Sequence, residues 1–127
     1  MKTFVMILTL TVSSLTFAGN NNDLNQIQSA RASCLKNSSS HVSDDVCEET
    51  AGKALDTELN AVYQAALKTM DSPTKVAFVQ SERAWLAYRD AQVNYIGVLF
   101  TGGNGGGVAM VSKSNDLTAA RIIEIQQ

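Results

Sequence analysis

The densest chemistry in the chain lies between Ser81 and Ala91. This stretch reads Ser-Glu-Arg-Ala-Trp-Leu-Ala-Tyr-Arg-Asp-Ala and holds the only Trp, one of the three Tyr, two of the four Arg and two acids. Two carboxyl groups such as Glu82 and Asp90 are the residue types a glycosidase uses as acid and base. Here Arg83 and Arg89 interleave with them, and ion pairing is the commoner use of such a cluster. His41 is the only histidine and stands among serines. With no Ser-His-Asp arrangement and too few ligands for a metal site, it reads as a structural or solvated side chain. We expect a protein that is not an enzyme, with no catalytic residue, no cofactor and no metal. Trp85 reads as a core residue rather than a sugar-stacking platform.

At 100° per residue, Val79, Glu82, Leu86, Arg89, Val93 and Ile96 fall on one side of a helix, with Phe78 and Trp85 at one edge and Asp90 at the other. Two charges therefore stand in an apolar stripe. A charge so placed must be paired or must reach water along its own stem. Glu82 and Arg89 are two turns apart, roughly 10 Å along the axis, too far for easy pairing. Their partners are expected on neighbouring helices.

With 127 residues, 45% hydrophobic and 17% charged, the chain suits one domain with a single core. Met1-Lys2-Thr3, the apolar run from Phe4 and the ending Thr16-Phe17-Ala18 read as a secretory leader, residues 1–18, cleaved after Ala18. The run is too short and too rich in Ser and Thr for a membrane span. Removing Lys2 from ten basic residues leaves nine against twelve acids, so the formal charge moves from −2 to −3. A mildly acidic domain with scattered cations lacks the basic footprint of a nucleic-acid binder. Cys34 and Cys47 are the only cysteines. In an exported chain such an even pair is expected to join. Neither follows the apolar run directly, so no lipid anchor and no membrane attachment is expected once the leader is gone, and the mature protein is read as soluble and periplasmic or secreted.

These residues need helices to position them. After a polar start at Gly19, with Asp23 as a cap, Leu24, Ile27, Arg31, Cys34 and Leu35 recur at helical spacing. Asn37 to Ser40 breaks the pattern. A second helix is expected from about Ser43-Asp44-Asp45, with Cys47 in its first turn and a stripe through Leu55, Leu59, Val62, Tyr63, Ala66, Leu67 and Met70, Gly52 being its weak point. Ser72-Pro73 turns the chain into a third helix, roughly Pro73 to Phe100, antiparallel to the second. Asn60 and Tyr63 then become candidate partners for the central polar atoms. Thr101 to Gly107 holds five of the eight glycines, read as a turn or a protruding tip. A last helix spans Val108 to Gln127, with Asn115 or Asp116 a possible internal start and Arg121 aimed at Glu82 or Asp90. The expected fold is all-α: a small bundle of about four helices with a long antiparallel hairpin and one disulfide.

Arg83-Ala84-Trp85-Leu86 with Tyr88-Arg89-Asp90-Ala91, preceded by Leu59, Asn60 and Tyr63 and followed by a Gly-Gly turn and Leu117, Thr118 and Arg121, resembles the LprI-like lysozyme-inhibitor family of secreted bacterial domains. The resemblance covers most of residues 19–127. Many members of that family place a second cysteine pair where Val93 and Ser112 or Lys113 stand here, so packing of Val93 must replace a covalent tether. The resemblance implies a soluble periplasmic binding protein that blocks a lysozyme-type muramidase. The alternative is an envelope stress or immunity-type domain that binds another secreted protein or peptide. The expected partner-binding residues are Arg83, Tyr88, Thr101, Gly102, Gly103, Asn104 and Gly105. The expected structural polar cluster is Asn60, Tyr63, Glu82, Arg89, Asp90 and Arg121.

Overall fold

The computed structural model describes residues 21–127 apart from 102 and 104, and only the backbone of 21 and 22. The described residues form four helices: α1 (Asn21–Lys36), α2 (His41–Thr69), α3 (Ser72–Leu99) and α4 (Gly106–Ile125). No strand occurs among the described residues, and the all-α expectation holds. The expected leader and two residues of the tip, Gly102 and Asn104, lie outside the described residues.

Local chemistry sets where the helices begin. Ser40 is the N-cap of α2: its hydroxyl accepts from the Ser43 backbone N–H at 3.2 Å, and the Ser43 hydroxyl accepts from the Ser40 N–H at 3.1 Å. Two of the donors orphaned at the start of any helix are thereby satisfied. The helix starts at His41, two residues before the expected Ser43, and this moves Cys47 into the second turn. The serines lie upstream of the acids that drew the expected boundary. At the next corner Met70 is extended, and the Asp71 carboxylate caps α3 by accepting from the Thr74 N–H at 2.9 Å. Pro73 fits the first turn, where no N–H is needed. Gly105 enters α4 at φ 97°, a left-handed conformation that a side chain disfavours. α4 then runs without interruption, so neither Asn115 nor Asp116 starts a helix.

α2 is the central element, with α4 and α1 packed on it and α4 also lying against α3. α2 and α3 form the expected antiparallel hairpin. Tyr63 stacks on Phe78 near the turn, with ring centroids 5.2 Å apart, and farther along Asp56 accepts from Arg89 at 3.2 Å. The core consists of Leu24, Leu55, Leu59, Val62, Ala119 and Ile122, with Ile27, Trp85 and Ile125 packed against it. Leu55 and Ile122 are fully buried.

A polar clamp extends this core beside the disulfide. Cys34 on α1 is bonded to Cys47 on α2. One turn along α1, Arg31 forks onto Glu48, donating from Nε at 2.9 Å and from Nη2 at 3.1 Å. It also donates to Asp116 at 2.7 Å and to the Ser112 hydroxyl at 3.1 Å, both on α4. Asn115 completes the set, its amide donating to the Glu48 backbone carbonyl at 2.8 Å and to its carboxylate at 2.7 Å. Glu48 is 2% exposed and Asn115 3%. Burial works against the Arg31 charge, but hydrogen bonds and attraction from Glu48 and Asp116 outweigh it and raise its pKa above the ordinary guanidinium value. One guanidinium thus ties three helices together.

Gly52 belongs to this clamp rather than weakening α2. A Cβ built there would stand 2.9 Å from Asn115 Oδ1. On helix propensity alone Gly52→Ala gains about 1 kcal/mol. Because Asn115 is buried and held at Glu48, the substitution is expected to destabilise the domain instead, measured as a lower urea midpoint. A higher midpoint would show that Asn115 gives way freely. A second close approach lies between α3 and α4, where a Cβ on Gly97 would be 3.0 Å from Met110 Sδ. Here backbone proximity, with half-buried Val93 close by in sequence, stands in place of the covalent tether.

Candidate functional site

The central motif divides by helical phase into two sets. Glu82, Trp85 and Arg89 turn inward, while Arg83, Tyr88 and Asp90 are exposed. Glu82, 8% exposed, accepts from Arg121 Nε at 2.9 Å. Arg121 also donates to Glu124 at 3.0 Å and to the Ser81 hydroxyl at 3.1 Å. Burial opposes the Arg121 charge, but Glu124 and Glu82 together raise its pKa. Arg89 donates to Asp56 at 3.2 Å and to Thr118 at 3.1 Å. Both guanidinium carbons lie over the Trp85 ring, at 5.1 Å for Arg89 and 5.9 Å for Arg121, within cation–π range. The inward half of the motif is therefore a fastener between α3, α4 and α2.

Three residues expected in this cluster stand elsewhere. Asn60 is exposed and, like Tyr63, makes no side-chain hydrogen bond among the described residues; Tyr63 instead stacks on Phe78. Their place at the motif is taken by Asp56, one to two turns earlier on the same side of α2, and by Thr118 of α4. Asp90 is exposed, and Arg121 pairs with Glu82 rather than with it. Glu82 and Asp90 share no cleft, so the acid-pair geometry of a glycosidase is not formed. His41 Nδ1 lies 3.9 Å from Asp44 at the start of α2. Among the described residues no group of three or more His, Cys, Asp or Glu side chains is placed to hold a metal ion.

Two outward surfaces remain. One is an open groove between α2 and α3. Its half nearer the turn encloses about 490 Å³ over Leu67, Val76 and Val79, with Lys68, Lys75 and Arg83 at its walls. Its other half, about 330 Å³, continues past Leu59, Tyr63 and Leu86, with the already paired acids Asp56 and Glu82 also in its lining, and Arg83 lines both. The second surface is the end of the bundle that carries the glycine-rich turn. Tyr95, Val98, Leu99 and Phe100, in and after the last turn of α3, are 57, 71, 58 and 45% exposed. The start of α2 meets this end, since a Cβ on Gly105 would lie 3.7 Å from the His41 ring, and Val42 beside it is 77% exposed. Periodicity did not reveal this apolar end, because a helical stripe does not show where its neighbours stop.

The expected partner-binding residues do not form one site. Arg83 and Thr101 lie on one continuous helix and its cap, roughly 27 Å apart along the axis. Tyr88, 50% exposed, is about 140° around α3 from Arg83. The groove takes Arg83, the glycine end takes Thr101, Gly103 and Gly105, and Tyr88 belongs to neither lining.

These features define the class: a small all-α domain, closed by one disulfide, whose concentrated ionic residues fasten helices together and whose apolar end and groove face outward. Its family is also defined. The family model described as lysozyme inhibitor LprI matches residues 34–125, from the first cysteine to the last residue of α4. The chain belongs to the LprI lysozyme-inhibitor family, as the motif around Trp85 led us to expect. No curated protein and no solved structure matches the chain. Among the described residues no helix is long and apolar enough to cross a membrane.

Proposed function

We propose that this protein is an exported, soluble binding protein of the bacterial envelope that inhibits a lysozyme-type muramidase by occupying its cleft, without chemistry of its own. In this reading residues 1–18 are the leader and residues 19–127 the mature domain. The observation that carries the proposal is membership of the lysozyme-inhibitor family over residues 34–125. Such hydrolases work with two carboxyl groups in a cleft that must admit a sugar chain. A tip that enters the cleft and excludes the sugar is a sufficient inhibitor. We assign that role to Thr101, Gly102, Gly103, Asn104 and Gly105. The exposure of Val98, Leu99 and Phe100 beside the tip supports the assignment, because contiguous apolar surface on a small domain marks an interaction site.

The test titrates the purified mature domain, with its disulfide intact, into peptidoglycan lysis by c-, g- and i-type lysozymes. Saturable inhibition at equimolar ratio is expected for at least one type. Val98→Asp with Leu99→Asp, or a tip shortened between Thr101 and Gly105, is expected to lower potency at least tenfold, equivalent to about 1.4 kcal/mol, while the melting temperature stays the same. No inhibition by the intact domain at high molar excess, in any of the three types, would overturn the proposal.

A further inference from the structure

We infer that the groove between α2 and α3 is a docking site for an acidic amphipathic helix of a partner protein. This goes beyond the muramidase reading, and the groove is set apart from the glycine end by about half the length of α3.

The charge distribution points to the partner's sign. Of the nine cations after Lys2, Arg31, Arg89 and Arg121 are engaged in the ion pairs that hold the helices. The other six make no ion pair among the described residues, and three of them, Lys68, Lys75 and Arg83, wall one half of a single groove. This gathering occurs in a chain whose acids outnumber its bases. Lys68, in the last turn of α2, also suits that helix's dipole, but Lys75 stands at the start of α3, where the dipole disfavours a cation. The floor is apolar, and part of it remains in water, with Val76 60% and Leu86 38% exposed. An occupant with apolar residues on one side and carboxylates flanking them satisfies both features.

The walls point to the partner's conformation. Both are helices whose backbone N–H and C=O groups are already bonded within the helix, so they offer nothing to the backbone of an extended strand. A helix brings its own backbone satisfied and needs only side-chain contacts, the arrangement that recurs when an amphipathic helix lies in a groove. From Lys75 to Leu86 the floor is roughly 16 Å long, about three turns. α4 already lies against both α2 and α3, so a helix in the groove would add a further member to the bundle.

The experiment uses the mature domain and three labelled synthetic peptides of about 14 residues, four turns: one with a Leu face flanked by Glu, one with Lys in place of Glu, and the Glu peptide with a central Pro. Fluorescence anisotropy is expected to show saturable binding of the Glu peptide that weakens with salt. The Lys and Pro peptides are expected to bind at least about tenfold more weakly. Lys68→Glu/Lys75→Glu/Arg83→Glu is expected to reverse the preference between the Glu and Lys peptides. Arg83→Glu alone, at an exposed and unpaired position, is expected to weaken the Glu peptide even where the triple variant fails to fold. The inference is overturned by no saturable binding of the Glu peptide, by equal affinity for the Glu and Lys peptides, or by undiminished binding to the folded variants. Binding to phosphatidylglycerol vesicles with none to the peptides would also overturn it, assigning the groove to an anionic membrane surface. Lysozyme inhibition is read in a separate assay, so failure here leaves the muramidase reading standing, and the reverse also holds.

Discussion

Glu48→Ala is expected to lower the stability of the domain by about 3–5 kcal/mol, the usual cost of removing one partner from a buried ion pair. Glu48 is 2% exposed, and its carboxylate receives Arg31 through two donors and Asn115 through one. Removing it leaves Arg31 with Asp116 and Ser112 alone, at the more exposed edge of the clamp, and leaves Asn115 with only the Glu48 carbonyl. The void left by two carbons and two oxygens adds a packing loss on top of the lost charge. Glu48→Gln keeps the volume and one acceptor, so its cost is expected to be smaller. Urea unfolding of both variants against the parent, followed by helical circular dichroism, measures the difference. A loss below about 1 kcal/mol, the scale of a surface pair, would mean that α4 absorbs Arg31 and that Glu48 is dispensable.

Replacing Cys34 and Cys47 together by Ser is expected to cost about 3 kcal/mol, the chain-entropy value for a loop of about this length. The bridge spans a sequence separation of 13 and ties exposed Cys34 to Cys47, which is 4% exposed. Without it, α1 is held to α2 by the Arg31 fork and by Leu24 and Ile27 against the core. The expected signature is therefore selective: earlier hydrogen exchange along α1, with α2 and α4 protected until global unfolding. Denaturant midpoints with and without reductant give the magnitude. Uniform loss of protection in all four helices would show that α1 is integral to one cooperative unit.

The elements were legible because their signals are local. Leu55, Leu59 and Val62 repeat at the helical period, Ser72-Pro73 marks a helix start although Asp71 rather than Ser72 caps it, and the serines before His41 mark the break before α2, whose start was misread by two residues. The outward surfaces were legible in part. Arg83 and the glycine turn were singled out from their types and spacing, but their separation along α3 depends on that helix being unbroken. The clamp was not legible at all. Glu48 and Asn115 occupy inner positions that a hydropathy pattern assigns to apolar residues, and what makes them tolerable is a partner far away in the chain. Asn115 and Glu48 are 67 residues apart, Arg31 and Asp116 85. Asn60 and Tyr63 were misplaced by register: they share a side of α2 with Asp56, but the axial alignment of the two helices brings Asp56 to Arg89 and Tyr63 to Phe78.

By itself the sequence determined four helices, their order, the cysteine pair and the family, because periodicity, caps, a lone even pair of cysteines and a dense local motif are all written within short stretches of chain. Only the tertiary structure decided which charges are fasteners and which are free. Whether a buried carboxylate is costly or stabilising depends on the donors that surround it, and here those donors arrive from other helices. The same packing that engages Arg31, Arg89 and Arg121 in the interior leaves Lys68, Lys75 and Arg83 facing one open groove.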